Sequence, residues 1–114
     1  MKVDLHCHSS VSDGVLAPAA VAAYARKSGV DVWALTDHDE VGGIKAAREA
    51  AGELGMRFVS GVEISLTLPN ETVHIVGLQI DEGNRALMEG LAATRNGRQA
   101  RAMEISAQLE SAGI

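Results

Sequence analysis

Along the first 55 residues, hydrophobic residues follow the spacing of a strand and that of a helix in alternation, which predicts alternating strands and helices. Short runs that alternate or are wholly apolar predict strands, and longer alanine-rich runs predict helices. Gly29 and Gly55 follow the predicted helices, in the position where helices commonly end. Two pairs of strand and helix are expected, over residues 2–8, 17–28, 30–36 and 44–54. This α/β order is typical of a parallel sheet covered by helices.

The remainder of the chain is predicted to contain two further strands and a long helix. The strands are expected over residues 56–65 and 72–80, joined by a turn over 66–71 and lying antiparallel or side by side. The helix is expected over residues 84–113, with Asn84 as its N-cap. Because complete α/β barrels need roughly 200 residues or more, residues 1–114 are expected to form the N-terminal part of a barrel, without an internal domain boundary.

Composition and charge narrow the classes of function. Hydrophobic residues make up 46% of the chain and charged residues 22%, which is typical of an ordered globular protein. The net charge of -5 opposes stable binding to DNA or to an acidic membrane surface. No uncharged run approaches the length of a membrane span. The single cysteine, Cys7, excludes an internal disulfide and favours a reducing, cytoplasmic compartment.

Residues able to bind metal ions recur at the C-terminal ends of the predicted strands or on their polar faces. Those ends meet at one mouth in α/β folds, so residues distant in sequence are expected to come together there. On the first predicted strand, two imidazoles would point the same way and Cys7 the opposite way, as a small buried hydrophobe. The candidates are His6, His8, Asp13, His38, Glu63 and His74.

Structural explanations exist for each candidate taken alone. A lone histidine is more often a satisfied core or surface residue, and Asp13 fits a turn. Several unpaired polar groups on one buried face, however, would cost on the order of several kcal/mol, and a bound cation removes that cost. Mixed imidazole and carboxylate ligands suit Mn, Zn or Fe better than Ca or Mg. Asp4, Asp37 and Asp39 are expected to orient the histidine rings.

Three arginines recur at intervals of three along the last predicted helix, at Arg95, Arg98 and Arg101. Their guanidinium groups could bind phosphate. A solvent-exposed helix face explains the same spacing and is the more frequent case. The spacing leaves both interpretations open, and the sequence identifies no other substrate-binding residue.

Five short motifs, taken in order, resemble those of the PHP (polymerase and histidinol phosphatase) family. They are Asp4-Leu5-His6-Cys7-His8-Ser9, Ser12-Asp13-Gly14, Thr36-Asp37-His38-Asp39, Gly61-Val62-Glu63-Ile64-Ser65 and Val73-His74-Ile75-Val76-Gly77. The resemblance implies part of a distorted, TIM-like, seven-stranded β/α barrel. It also implies two or three divalent ions, Mn, Zn or Fe, at the C-terminal mouth of that barrel.

The same resemblance implies how the ligands divide among the ions. His6, His8 and Glu63 would hold one ion, Asp13 and His38 a second, and Glu63 with His74 a third. Glu63 would bridge, and Glu63, His38 and Asp13 are the candidate catalytic residues. Family members complete each ion with a later histidine and an Asp-x-His pair, which this sequence does not contain.

The activity implied by the resemblance is that of a metal-dependent phosphoesterase. Its substrate would be a small phosphomonoester of the nucleotide class, a 3',5'-nucleoside bisphosphate or the 5' end of a short RNA, attacked by activated water. The missing C-terminal half of the barrel is the expected partner. Two alternatives stay open: a truncated, catalytically silent module that binds metal, and a metal-dependent amidohydrolase.

Overall fold

The structure, a computed structural model, describes residues 1–97. Its elements follow in the order β1 (Val3–Asp4), α1 (Pro18–Lys27), β2 (Val32–Leu35), α2 (Ile44–Glu53), β3 (Arg57–Leu68) and β4 (Glu71–Leu78). A further helix, α3, occupies residues 85–97. The two predicted helices over 17–28 and 44–54 are confirmed to within a residue or two at each end. Within residues 1–97, no helix is long and apolar enough to cross a membrane.

The four strands form one sheet in the order β1-β2-β3-β4. The β1 and β2 strands are parallel, as are β2 and β3, whereas β3 and β4 are antiparallel. The long strand β3 pairs with β2 over Arg57–Ser60 and then with β4 over Gly61–Leu68. Because it changes partner along its length, β3 carries the sheet from its parallel part into a hairpin.

The first predicted strand is shorter than its alternating pattern indicated. Only Val3 and Asp4 pair with β2, so the prediction of a strand over residues 2–8 was wrong beyond Asp4. There the Asp4 carboxylate accepts a hydrogen bond from the His6 main-chain N–H (3.2 Å), which turns the chain out of the ladder. Beyond Asp4, Cys7 still contacts the end of β2, because its carbonyl accepts the Thr36 N–H (2.8 Å) and its N–H donates to the Thr36 hydroxyl (3.1 Å). The histidines on either side therefore still lie beside the end of β2.

The turn between β3 and β4 is also shorter than predicted. A turn was expected over residues 66–71, but β3 continues to Leu68 and only Pro69 and Asn70 form the turn. Asn84 caps α3 as predicted, because its side-chain oxygen accepts the Leu87 N–H at 2.9 Å. The remainder of the predicted helix to 113, with Arg98 and Arg101, lies outside the described residues.

The core fills the space between the sheet and the two central helices. Trp33 and Leu35 of β2 are fully buried, and they pack with the alanines of α1 and α2. Small residues let the helices approach closely: a Cβ atom on Gly43 would lie 2.9 Å from Pro18 Cγ. Burial of the strand end under this core fixes the positions of the residues that follow β2.

Apolar side chains of the β3–β4 hairpin remain exposed. Leu66, Leu68 and Ile75 share one face of the hairpin and are each more than 40% exposed. Such a surface favours association between copies. We expect the 114-residue chain expressed alone to form oligomers in light-scattering chromatography, and the double variant Leu66→Lys, Leu68→Lys to move it towards monomer. A monomeric wild-type chain with a sharp thermal transition would contradict this prediction.

Candidate metal centre

Main-chain pairing places Glu63 beside the loop that follows β2. His38 and Glu63 form an isolated parallel bridge. The Glu63 N–H donates to the Asp37 carbonyl (3.0 Å), and the Asp39 N–H donates to the Glu63 carbonyl (2.9 Å). The Glu63 residue is only 5% exposed. A buried carboxylate is thereby held at the end of the parallel sheet, where the other candidates gather.

Four imidazoles form a continuous row across this end of the sheet. Ring centroids are 5.1 Å apart for His6 and His8, 4.3 Å for His8 and His38, and 5.3 Å for His38 and His74. His74 comes from β4, where it pairs in register with Ser65 of β3. The row shows that residues separated by almost 70 positions in sequence meet at one place.

Two carboxylates sit against both nitrogens of the two central imidazoles. His8 Nδ1 lies 2.8 Å from Asp13 Oδ1, and His8 Nε2 lies 2.8 Å from Glu63 Oε2. His38 repeats this arrangement, with Nε2 3.2 Å from Asp13 Oδ2 and Nδ1 3.2 Å from Glu63 Oε2. His6 Nε2 lies 3.1 Å from Glu63 Oε1. Asp13 and Glu63 therefore bracket His8 and His38 from two sides.

These short distances do not form a complete set of hydrogen bonds. A neutral imidazole carries one N–H, so one of its two nitrogens faces a carboxylate oxygen with a lone pair. Within residues 1–97, His8 Nε2, His38 Nδ1 and Glu63 Oε2 are buried and lack a hydrogen bond of acceptable geometry. Buried polar atoms without a partner are costly. A cation bound among these lone pairs would remove the cost, so the donor set fits a metal ion.

The candidates divide into three groups whose ligand atoms lie within 4.8 Å of one another. The first matches the expected set of His6, His8 and Glu63. The other two each include one histidine more than expected, because His8 joins Asp13 and His38, and His38 joins Glu63 and His74. Three residues thus belong to two groups each, namely His8, His38 and Glu63. Ions bound in neighbouring groups would share these ligands.

Asp13 is ionised at this site. Desolvation raises the pKa of Asp13, but the hydrogen bond with His8 and the proximity of the His8 and His38 imidazoles lower this pKa by more, so the net direction is downwards. An ionised carboxylate is the form that binds a metal. Gly14 lets the loop fold tightly behind it, since a Cβ atom there would lie 2.8 Å from the His8 carbonyl oxygen.

Asp37 supports the loop that carries Asp13, which differs from the expected role of orienting a histidine ring. Its Oδ1 accepts hydrogen bonds from the Ser9 N–H and the Ser12 hydroxyl, both at 2.6 Å, and Oδ2 accepts from the Ser9 hydroxyl at 2.7 Å. Asp37 and Ser9 are buried. Sequence reasoning missed these two serines, although a buried aspartate implies nearby donors.

Asp4 and Asp39 also bond to groups other than the expected rings. The two Asp4 carboxylate oxygens accept from the His6 main-chain N–H and the Cys7 thiol, whereas a contact with an imidazole ring was expected. Asp39 Oδ1 accepts the Ser65 N–H at 2.9 Å and so ties the His38 loop to β3. Asp39 adopts a positive φ of 51°, which an aspartate tolerates better than most residues.

A cleft of about 420 Å³ opens beside these residues. It is lined by Asp13, His38 and His74 together with residues that the sequence had not assigned, Ser65 and Glu40. Arg95 of α3 also lines the cleft. Of the two interpretations that the sequence left open for Arg95, its position in this cleft favours phosphate binding over a solvent-exposed helix face. The regular spacing of the arginines was the available signal, but spacing alone could not orient the helix.

Cys7 is held as an unreactive thiol beside the site. Burial, reinforced by the Asp4 carboxylate and opposed by Trp33, raises the pKa of Cys7 from 9.0 to about 11. We expect alkylation by iodoacetamide at pH 8 to be about 100-fold slower than in the unfolded chain, because the thiolate fraction falls by that factor. Equal alkylation rates in the folded and unfolded chain would contradict this prediction.

The raised pKa of Cys7 also makes stability depend on pH. Since folding raises this pKa, the thiol's contribution to stability is complete below pH 9 and is lost as pH rises towards 11.

Known proteins similar to this chain include curated bacterial enzymes. It is 47% identical over 112 residues to a 3',5'-nucleoside bisphosphate phosphatase of Chromobacterium violaceum, covering 98% of this chain and 39% of that protein. It is 45% identical over 113 residues to a 5'-3' exoribonuclease of Haemophilus influenzae, covering 99% of this chain and 41% of the relative. The chain thus spans about 40% of the length of these relatives.

Two solved structures share the fold. One, described as an amidohydrolase from Chromobacterium violaceum with bound sulfate and no metal, matches with a TM-score of 0.87 and 46% identity, over all of this chain and 40% of that one. Another, from Bifidobacterium adolescentis and proposed to be a metal-dependent phosphoesterase, matches with a TM-score of 0.85 and 32% identity, over 97% and 39%. The predicted α/β fold as part of a TIM-like barrel is confirmed. The model of the PHP domain matches residues 4–108, and this chain therefore belongs to the PHP domain family.

Proposed function

We propose that this chain supplies most of the metal ligands of a metal-dependent phosphoesterase that hydrolyses phosphomonoesters. The observation that carries the proposal is a cluster of three buried polar atoms without hydrogen bonds. Glu63 Oε2 lies 2.8 Å from His8 Nε2 and 3.2 Å from His38 Nδ1. Structural ion pairs do not explain this cluster, because in such a pair each nitrogen would donate a hydrogen bond to the carboxylate. A set of shared cations explains it, and residues 1–114 would form the N-terminal part of the PHP domain.

The donor set supports two or three divalent ions of the Mn, Zn or Fe type. Divalent ions bound there would supply positive charge that stabilises a phosphoryl group and promotes ionisation of water. The protein's own residues hold this arrangement in place: Glu63 faces three imidazoles, Asp37 fixes the loop bearing Asp13, and His38 lies between both carboxylates. We assign the ligand role to His6, His8, Asp13, His38, Glu63 and His74.

Nucleotides are the proposed substrate class. A 3',5'-nucleoside bisphosphate phosphatase and a 5'-3' exoribonuclease, both at least 45% identical to this chain, are the basis for this choice. The chain's net charge of -5 would repel such anions without bound cations. The proposed location is the cytoplasm, where a nucleotide substrate would be available and the single cysteine would stay reduced.

Phosphate release by the protein expressed from its complete gene tests the proposal. We expect hydrolysis of adenosine 3',5'-bisphosphate or of a short 5'-phosphorylated RNA in the presence of Mn²⁺, and its loss after chelation and dialysis, with recovery when Mn²⁺ is restored. Robust activity after thorough metal removal would contradict the proposal. Tight metal binding with no hydrolysis of any phosphate ester would favour a catalytically silent module instead.

A second candidate function is that of a metal-dependent amidohydrolase. The observation in its favour is the description of the 46% identical Chromobacterium violaceum structure as an amidohydrolase. That structure also contains bound sulfate, an ion that resembles phosphate in shape and charge. A panel of amide substrates assayed beside the phosphate esters separates the two, since only one class should be hydrolysed efficiently.

A further inference from the structure

We propose that Arg95 binds a phosphate of the substrate. This inference rests on the proposed phosphoesterase function and adds a substrate-binding residue to it. Arg95 lies on α3, 56 residues after Asp39, yet its side chain reaches the loop that holds His38. It lines the same cleft as the proposed metal ligands Asp13, His38 and His74. A molecule bound in this cleft would therefore contact both the metal centre and the guanidinium.

The guanidinium is anchored at one nitrogen. Arg95 Nη1 donates a hydrogen bond of 2.6 Å to the Asp39 carbonyl and lies 3.6 Å from Glu40 Oε2. Glu40 is itself fixed, because its other oxygen accepts the N–H groups of Val41 and Gly42, just before α2. Both neighbours of Nη1 are thus held by main-chain contacts. The arrangement fixes the position of the guanidinium before any ligand binds.

The rest of the guanidinium remains available. A guanidinium carries five N–H donors, and within residues 1–97 Nη2 and Nε donate no hydrogen bond. The Arg95 side chain is 36% exposed, so part of it is accessible to a molecule in the cleft. Two parallel N–H groups match the geometry of two phosphate oxygens. An anchored arginine with a free edge therefore has the form of a phosphate clamp.

Charge in the cleft supports the same role. Among the cleft residues within the described part of the chain, Arg95 alone is a lysine or arginine, whereas Asp13 and Glu40 are acidic. If bound ions balance the carboxylates around the imidazoles, the Arg95 charge remains to attract a substrate anion. The ions would then hold one side of the substrate and Arg95 another.

Arg95→Gln, Arg95→Lys and Arg85→Gln in the protein expressed from its complete gene test this role. Glutamine removes the charge but keeps a polar amide, and lysine keeps the charge without the planar edge. Arg85 is exposed on the same helix, about 15 Å away along its axis, and provides the matched control. Three quantities are measured: KM and kcat for phosphate release, the inhibition constant of inorganic phosphate, and bound metal by elemental analysis.

We expect Arg95→Gln to raise KM and the inhibition constant of phosphate by about 10- to 100-fold, as for loss of a charge-assisted contact. Bound metal and the melting temperature should stay unchanged, Arg95→Lys should recover part of the loss, and Arg85→Gln should match the wild type. A loss confined to bisphosphates would assign Arg95 to the second phosphate, and an equal loss with monophosphates would assign it to the reacting one.

Two results would overturn the inference. One is a normal phosphate inhibition constant in Arg95→Gln, and the other is loss of bound metal together with a lower melting temperature, which would make Arg95 a structural clip. Failure of the proposed function is distinguishable, because the wild-type protein would then hydrolyse no phosphate ester. Calorimetric binding of inorganic phosphate to the metal-loaded wild type and to Arg95→Gln would still test Arg95 in that case.

Discussion

Glu63→Gln should remove bound metal and reduce phosphate release by about 1,000-fold, because metal-derived charge stabilisation is worth several kcal/mol. Glu63 belongs to two of the three ligand groups and faces three imidazoles, so its loss should affect more than one ion. Glutamine keeps the size of the side chain while removing the negative charge. The measurements are metal stoichiometry by elemental analysis after dialysis and the rise in melting temperature on adding Mn²⁺.

Glu53→Gln is the matched control, since it makes the same chemical change at an exposed position on α2. It should bind metal, gain stability from Mn²⁺ and release phosphate like the wild type. Wild-type metal content in Glu63→Gln would show that the carboxylate is a structural hydrogen-bond acceptor and not a ligand. The metal-free melting temperatures of all three proteins separate a folding defect from a binding defect.

Asp37→Ala should destabilise the protein by about 3 kcal/mol or more. The substitution removes the acceptor of three short hydrogen bonds, which come from the Ser9 N–H and from the hydroxyls of Ser9 and Ser12. Ser9 is fully buried, so its two donors would have no water to replace the carboxylate. The melting temperature should fall by more than about 10 °C. Because Ser9 and Ser12 lead directly to Asp13, the second ligand group should also weaken.

Asp37→Asn tests whether geometry or charge accounts for this effect. An amide oxygen can replace Oδ1, and the Ser9 hydroxyl can turn to accept from the amide nitrogen, so the expected cost is about 1 kcal/mol. Asp31→Ala serves as a control, because the contacts of Asp31 with Lys2 and Arg26 are largely exposed and should contribute little to stability. Equal costs for Asp37→Ala and Asp31→Ala would contradict the role assigned to Asp37.

Four of the six ligand candidates were expected together because they follow the C-terminal end of β1 or β2, and such ends converge in an α/β sheet; they are His6, His8, Asp13 and His38. His6 and His8 reached their positions although the strand before them ended early, because two hydrogen bonds tie Cys7, which lies between them, to Thr36 at the end of β2. His74 was predictable for a different reason, since a polar residue between Val73 and Ile75 marks the polar face of a strand.

The sequence did not reveal which groups hold the ligands in place. Asp37 was expected to contact a histidine ring because it adjoins His38 in sequence. A carboxylate accepts from the donors nearest to it in space, and the folded loop places the donors of Ser9 and Ser12 there. Arg95 was undecided for a similar reason. Its direction depends on how α3 packs through Leu91 against the core, which is a tertiary contact that helical spacing does not encode.

The central claim is that imidazoles and carboxylates from separate strand ends share divalent ions around Glu63. The most direct measurement is anomalous X-ray diffraction from crystals of the protein grown with Mn²⁺. We predict anomalous peaks about 2.0–2.3 Å from Glu63 oxygens and from the nitrogens of His6 or His8. Carboxylate and imidazole groups that contact only one another, with no anomalous peak among them at saturating Mn²⁺, would contradict the claim.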